Sequence, residues 1–569
     1  MIMIIQEMVS FVTSDGVRLD ADIYRLDTTQ TYPVLLMRQP YGRAIASTVV
    51  YAHPRWYAAQ GYIVVIQDVR GRGTSEGDFQ LFAHEVKDGL ETVNWAAQLP
   101  GSNGEVGMYG FSYQGMTQLY ASSAKPAALK TICPAMIAYD LYQDWAYENG
   151  AFCLQINLAW AIQLATETAR IQGDETAYNF LYKASRNLPL FDSVPAIPDL
   201  LKEFAPDSFY HDWIHHHQPG DYWQQFTPQL EAVEIPMLHI GGWFDPYLRG
   251  TLRCYQHQVQ NNSAPQHLIV GPWSHLPWAK NVGEINYGVE AINPIDELQI
   301  RWFDQFLKGI DTGILSEQPI ALFDLGSHQW RELETWKIDT TQSYYLWSTG
   351  LAAIREDDGI LMEVTEEIAP QVYENLSTST SLDFEEITPN DIEITHSEDV
   401  FVHDPWRPVP TLGGHAAIPA GTFDRSQLDN RSDILTYTSA PLKMNLSILG
   451  EPWVEVYCEA NTPSFDLCAI LSEVTTDGKV HNFSQGYIRL NHPMSPVQIP
   501  LQATCLEVQA GNAIRLSLSA ACFPAYPVNP GTGQPPSQTR LMEGQMITLT
   551  VRCGGEFASR VILPISRRA

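Results

Sequence analysis

Positive charge is scarce in this 569-residue sequence: 34 lysines and arginines stand against 65 aspartates and glutamates, a formal net charge of −31. A chain so acidic repels polyphosphate backbones and anionic lipid, so neither nucleic acid nor membrane is an expected partner. Cysteine is sparse as well, with eight scattered residues and no C-x-x-C pair. They read as reduced, buried thiols, and the expected compartment is the cytoplasm. No apolar run reaches membrane-spanning length. The opening "MIMIIQEMVSF" has neither a basic n-region nor a cleavage site, so no signal peptide is expected. Internal repeats and low-complexity tracts are missing too.

What the chain does have is apolar and aromatic material. Hydrophobic residues make up 45% and charged ones 17%, with 15 Trp and 26 Tyr, the balance of compact domains with aromatics to spare for pockets. The length exceeds what one core supports and implies two to four domains. A homo-oligomer stays open. The tri-histidine His215, His216 and His217 invites a metal reading. Adjacent side chains diverge on any regular element, however, and no Cys or His cluster accompanies them, so no metal is expected there.

The first third alternates strands with helices. "VSFVTSDGVRLDADIYRL" reads as a hairpin turning at Ser14-Asp15-Gly16. "YPVLLMRQP" and "YIVVIQDVR" are continuous apolar runs, the pattern of strands buried on both faces. "AHPRWYAAQG" predicts a helix stopped by Gly61, and "FAHEVKDGLETVNWAAQLP" a second halted by Pro100. This β-α-β order predicts a mainly parallel sheet over residues 1–141, resumed over 233–334. Between them, 142–232 reads as a helical, strandless, Trp-rich insertion placed to roof the sheet. "IDELQIRWFDQFLKGID" closes the domain as a helix. From 335 to 569 an acid-rich connection, read as solvated loops, leads to strands such as "WVEVYCEA", "AIRLSLSAAC", "MITLTVRC" and "RVILPI". Their period-two alternation predicts an antiparallel sandwich.

"GMYGFSYQGMTQLYASS" places Ser112 between a buried strand and an amphipathic helix. There it is either a nucleophile on a strand-to-helix elbow or only a helix cap. A serine hydroxyl needs a base, and the base an orienting group. "HIGGWFDPY" sets Asp245 just beyond an apolar strand, and "LIVGPWSHL" does the same for His275. Strand C-termini of a parallel sheet converge on one rim. Ser112, Asp245 and His275 would meet there in the order Ser…Asp…His. "DVRGRGTSEG" lacks the Lys-Ser or Lys-Thr ending of a phosphate loop; Asp68 and Arg70 read as braces for the loop beside the site.

At these residues the sequence resembles the cocaine esterase (CocE/NonD) hydrolases, which are close to α-amino acid ester hydrolases and X-Pro dipeptidyl-peptidases. The resemblance rests on "PYGR" at 40–43, "QDVRGRGTSEG" at 67–77, "GFSYQG" at 110–115, "GGWFD" at 241–245 and "GPWSH" at 271–275. It continues through "FDQFLKGID", "DPWRPVPTLGG" and "DILTYTSAPL", nearly the whole chain. It implies an α/β-hydrolase domain with an inserted helical cap and a C-terminal jelly roll. It further implies Ser112 as nucleophile, His275 as base then acid, and Asp245 as orienter. The oxyanion hole would be the backbone N–H of Tyr113 and the phenol of Tyr41. Trp145 and Trp160 are placed like tryptophans that bound the family's acyl pocket, or else are cap core; Tyr247 is open between the same two roles. The expected activity is cofactor-free cleavage of esters, or of amides, through an acyl-enzyme. Two alternatives stand: an X-Pro dipeptidyl-peptidase or α-amino ester hydrolase, with Asp144 or Glu148 engaging a substrate amine, and a non-catalytic binder using the jelly roll.

Overall fold

The structure, a computed structural model, describes residues 3–44, 48–190, 196–231, 233–337, 340–363, 397–491, 496–535, 538–554 and 557–566. The chain opens on a hairpin, β1 (Ile4–Val12) and β2 (Arg18–Leu26), paired antiparallel across the Asp15-Gly16 turn. Then follow β3 (Tyr32–Gln39), α1 (Pro54–Ala59), β4 (Ile63–Asp68), α2 (Glu85–Ala96), β5 (Ser102–Phe111), α3 (Tyr113–Ser123) and β6 (Leu129–Ala135). β3 and β4 are buried almost throughout, as strands covered on both faces must be. α1 ends just before Gly61, whose φ of +86° suits glycine.

The insertion is mostly helical but not strandless. It begins with a π-turn (Tyr142–Ala146) and a minute hairpin, β7 (Tyr147–Glu148) and β8 (Ala151–Phe152). Then come α4 (Leu154–Gln172), α5 (Glu175–Arg186), α6 (Asp199–Phe204), α7 (Phe209–His215) and α8 (Asp221–Gln224). The hairpin pairs two residues per strand, too few for a period to show. Its turn uses Asn149 and Gly150, both at positive φ.

The parallel sheet resumes with β9 (Met237–Phe244), α9 (Leu248–Asn261) and β10 (Gln266–Ser274). After the small β11 (Asn281–Val282) and β12 (Ile285–Asn286) comes α10 (Ile295–Leu307). That helix does not close the domain, because β13 (Ile320–Asp324) and β14 (Gln329–Leu333) follow and complete a ten-stranded sheet. Its order is β1-β2-β4-β3-β5-β6-β9-β10-β13-β14, parallel from β4 to β13. Asp324 accepts the amides of Gly326, Ser327 and Glu507, so the last turn is tied to the C-terminal half of the chain.

From Thr340 to Ile565, thirteen described strands pair almost wholly antiparallel; Ile360–Glu363 against Ile434–Ser439 is a parallel exception. Part of the acid-rich connection is therefore strand, Ile360–Glu363 and Ser397–His403, and the rest, 364–396, lies outside the described residues. Trp453–Ala460 and Ile547–Cys553 alternate as expected. Ala513–Ser519 is buried on both faces instead. The neighbouring strand Phe465–Val474 shows what covers the outer face. Leu467, Ala469 and Leu471 enter the sandwich core, whereas Cys468 and Ile470 pack outward on Ala151, Cys153 and Tyr526. The sandwich thus docks on the insertion. It also shares its core with Phe244, Leu248, Val270 and Leu322 of the parallel sheet.

Candidate active site

β5 turns directly into α3 at Ser112, whose backbone sits at φ 60°, ψ −127°, a strained position for a residue with a Cβ. The Ser112 side chain makes no capping hydrogen bond, which disposes of the cap reading. Two glycines make the elbow sterically feasible. A Cβ on Gly110, itself at φ +139°, would lie 2.4 Å from the Gln114 Cβ, and one on Gly115 would lie 2.3 Å from Ile137. The elbow is buttressed from below. The Tyr113 phenol donates to Glu85 at 2.9 Å, and Glu85 pairs with the fully buried Arg38 at 2.5 Å.

Asp245 follows β9 and His275 follows β10. The parallel pairing of these strands slips between Gly271 and Ser274, where β10 carries an irregularity just before His275. His275 Nδ1 and Asp245 Oδ1 are 2.8 Å apart. Asp245 is fully buried; burial pushes its carboxyl up, opposed by His275 and the Tyr247 amide. The His275 ring remains 25% exposed.

Tyr41, just past β3, brings its phenol into hydrogen-bonding contact with the Ser112 hydroxyl. The Trp160 indole donates to the same phenol oxygen at 3.0 Å. Burial pushes the phenol to about 12, so it stays a donor. The Trp145 ring stacks on Tyr247 at 4.0 Å, and Tyr247 meets the His275 ring edge-on at 4.9 Å. Trp145 and Trp160 are 5.2 Å apart. All three aromatics are packed in the core and also border the site.

Several participants carried no signal in the sequence. Phe111 packs on His275 at 5.5 Å, and Trp278 donates its indole N–H to the His275 carbonyl at 3.2 Å. Gln502 reaches over from the sandwich and donates to the Asp245 carbonyl at 2.7 Å. Asp68 accepts from Gln39 and Arg43, and Arg70 pairs with Asp88 and Asp15, so both brace the loop after β4. The cap carboxylates are likewise engaged. Asp144 pairs with Arg253 at 2.8 Å, and Glu148 with Arg249 and His415, each at 2.9 Å. His215, His216 and His217 each direct Nδ1 at a main-chain carbonyl. Among the described residues, no group of three or more His, Cys, Asp or Glu gathers as a metal site.

Fold and site together define an enzyme class: this is a serine hydrolase with the α/β-hydrolase fold and a C-terminal jelly roll. Residues 15–277 match the family model for X-Pro dipeptidyl-peptidase (S15 family), and 312–562 that for the X-Pro dipeptidyl-peptidase C-terminal non-catalytic domain. A cocaine esterase from Rhodococcus sp. (strain MB1 Bresler) is 28% identical, over 97% of this chain and 97% of its own length. An aminopeptidase from a marine sediment archaeon (Thaumarchaeota archaeon) superposes with a TM-score of 0.78 at 21% identity, covering 99% of this chain and 96% of that one. An α-amino acid ester hydrolase does so with 0.74 at 21% identity, covering 99% and 97%. Over nearly its whole length the chain is thus similar to the cocaine esterase (CocE/NonD) hydrolases, and in its two parts to the S15 peptidases.

Proposed function

We propose that the protein cleaves carboxylic esters of small molecules through an acyl-enzyme on Ser112. The observation that carries this reading is a serine strained onto an elbow beside a tyrosine hydroxyl, on the same sheet rim as a 2.8 Å His275–Asp245 pair. His275 takes the Ser112 proton as Oγ attacks the carbonyl carbon, and Asp245 holds the imidazole tautomer that leaves Nε2 free to accept it. The Tyr113 N–H and the Tyr41 O–H receive the negative charge that appears on the carbonyl oxygen. His275 then returns the proton to the departing alcohol. Water, deprotonated by the same imidazole, releases the acid. Residues 142–232 act as the cap over this cleft, with Trp145, Trp160 and Tyr247 bounding the acyl side, and 335–569 form the jelly roll. Eight buried thiols, none in a disulfide, support a cytoplasmic setting.

The S15 match favours a second reading, an X-Pro dipeptidyl-peptidase or α-amino ester hydrolase. Such enzymes need an unsatisfied carboxylate for the substrate ammonium. Asp144 and Glu148 are already held by arginines, which supports the simple ester. Comparing an aryl ester, an α-amino ester and a Gly-Pro amide separates the two: kcat/KM highest for the aryl ester is expected, and an order of preference led by the amine-bearing substrates would overturn it. A fluorophosphonate should label Ser112, and failure to label would return the chain to the class of binding proteins.

A further inference from the structure

The loop after β4 carries two arginines with different fates. Arg70 is neutralised by Asp88 and Asp15. Arg72 is only 2% exposed, and among the described residues no carboxylate pairs with it. Its guanidinium lies 3.7 Å over the Phe79 ring, and one nitrogen donates to the Leu164 carbonyl and the Thr168 hydroxyl, each at 3.1 Å. Its Nε has no partner. Glu167, the carboxylate on that helix turn, is held bidentately by Arg170 at 2.7 and 2.8 Å. A buried cation without a counter-ion is costly to the fold, so its place is informative.

Its place is behind the oxyanion hole. Leu164 and Thr168 continue the α4 face that begins with Trp160, one and two turns on, and Trp160 is the donor to Tyr41. Phe79, under the guanidinium, packs 6.2 Å from the Tyr113 ring. We propose that Arg72 is a positioning residue for ester hydrolysis: it seats α4 so that Trp160 holds the Tyr41 phenol, and its uncompensated charge makes that phenol a stronger donor to the developing oxyanion. This rests on the oxyanion role given to Tyr41 above. Burial alone pushes a phenol toward weaker donation, and the Arg72 charge opposes that at Tyr41. In a poorly solvated interior a cation acts over several ångströms. Because the substrate oxygen gains its charge only in the tetrahedral intermediate, the benefit falls on kcat and not on KM.

The test is a double-mutant cycle on an aryl ester, with Ser112→Ala as the control. Arg72→Met should lower kcat about 10- to 100-fold, less than deleting a direct donor, with KM within about threefold. It should weaken a tetrahedral boronate inhibitor by a similar factor. Arg72→Lys, which keeps the charge, should recover most of the loss. In a Tyr41→Phe background, Arg72→Met should cost less than about threefold more, because the donor through which it acts is gone. Equal losses in the Met and Lys variants, a change in KM alone, or the full loss persisting without Tyr41 would each overturn the inference. If Arg72→Met does not fold, Arg72→Gln against Arg72→Lys decides on the same terms. Activity surviving in Ser112→Ala would instead sink the triad reading itself, whereas a dead Ser112→Ala beside an unimpaired Arg72→Met removes Arg72 alone.

Discussion

A strained φ at Ser112, a serine without a capping bond and a phenol with one lone pair already engaged are three local facts with one consequence. Together they favour the reactive role proposed for Ser112 and Tyr41. Ser112→Ala and His275→Ala should each lower turnover about 10⁴-fold or more, with melting little changed, since neither opens a large core cavity. Tyr41→Phe keeps the ring and deletes the donor; kcat should fall about 10²–10³-fold, and a kcat within threefold of wild type would remove Tyr41 from the mechanism. Tyr41 is held near 12 by burial, so its ionisation should not limit activity below about pH 11; the alkaline limb of kcat, compared with and without Tyr41, checks this. The proposed triad was legible at this scale because each member closes an apolar run at a strand end. The link from Trp160 to Tyr41 was not, since 119 residues separate the two.

Elements set where these residues meet. β9 and β10 are neighbours in the parallel sheet, so the residues after them share one rim, and the slip before His275 offsets the two ends. The Asp245 turn is also gripped from outside its domain. Gln502 donates to its carbonyl, and to that of Trp243 at 3.4 Å. Gln502→Leu should lower kcat about tenfold and slow fluorophosphonate labelling, as expected when a catalytic group is misplaced by a fraction of an ångström. An unchanged labelling rate would show that the turn holds its shape unaided. The α2 segment was readable as a helix from its apolar spacing and its proline stop, and the insertion as mostly helical. The β7–β8 hairpin, β13 and β14 were not, because strands of two to five residues are decided by the partners that cover them.

Across the whole molecule, the sandwich, the cap and the parallel sheet are joined by buried contacts that include charge. Glu148 of the cap hairpin bonds Arg249 of α9, and His415 and Tyr526 of the C-terminal part at 2.9 and 2.6 Å. Burial pushes this carboxyl up, but Arg249, His415 and Tyr526 together hold it well below the usual carboxylate range. A depressed folded pKa adds stability that is complete above the unfolded value of 4.5 and is lost as pH falls from there toward the folded value. Glu148→Gln should therefore cost about 3 kcal/mol at pH 7, by leaving Arg249 unpaired, and should flatten the acid limb of Tm against pH. Parallel acid limbs in the two proteins would show that the network bears no such load.

The broad architecture and the candidate reacting groups could be read from the chain alone. Apolar runs, helical periods and turn residues are local properties, and Ser112, Asp245 and His275 announce themselves through the strands that deliver them. What surrounds them was settled by packing. That Trp160 serves Tyr41, that Asp144 and Glu148 are used up in ion pairs, that Arg72 is left without a counter-ion and that Gln502 reaches the Asp245 turn all depend on contacts between segments far apart in the chain. A side chain's solvation, and with it its charge and its strength as a donor, is a property of the neighbours that exclude water from it, and those neighbours are brought together by packing rather than by adjacency in sequence.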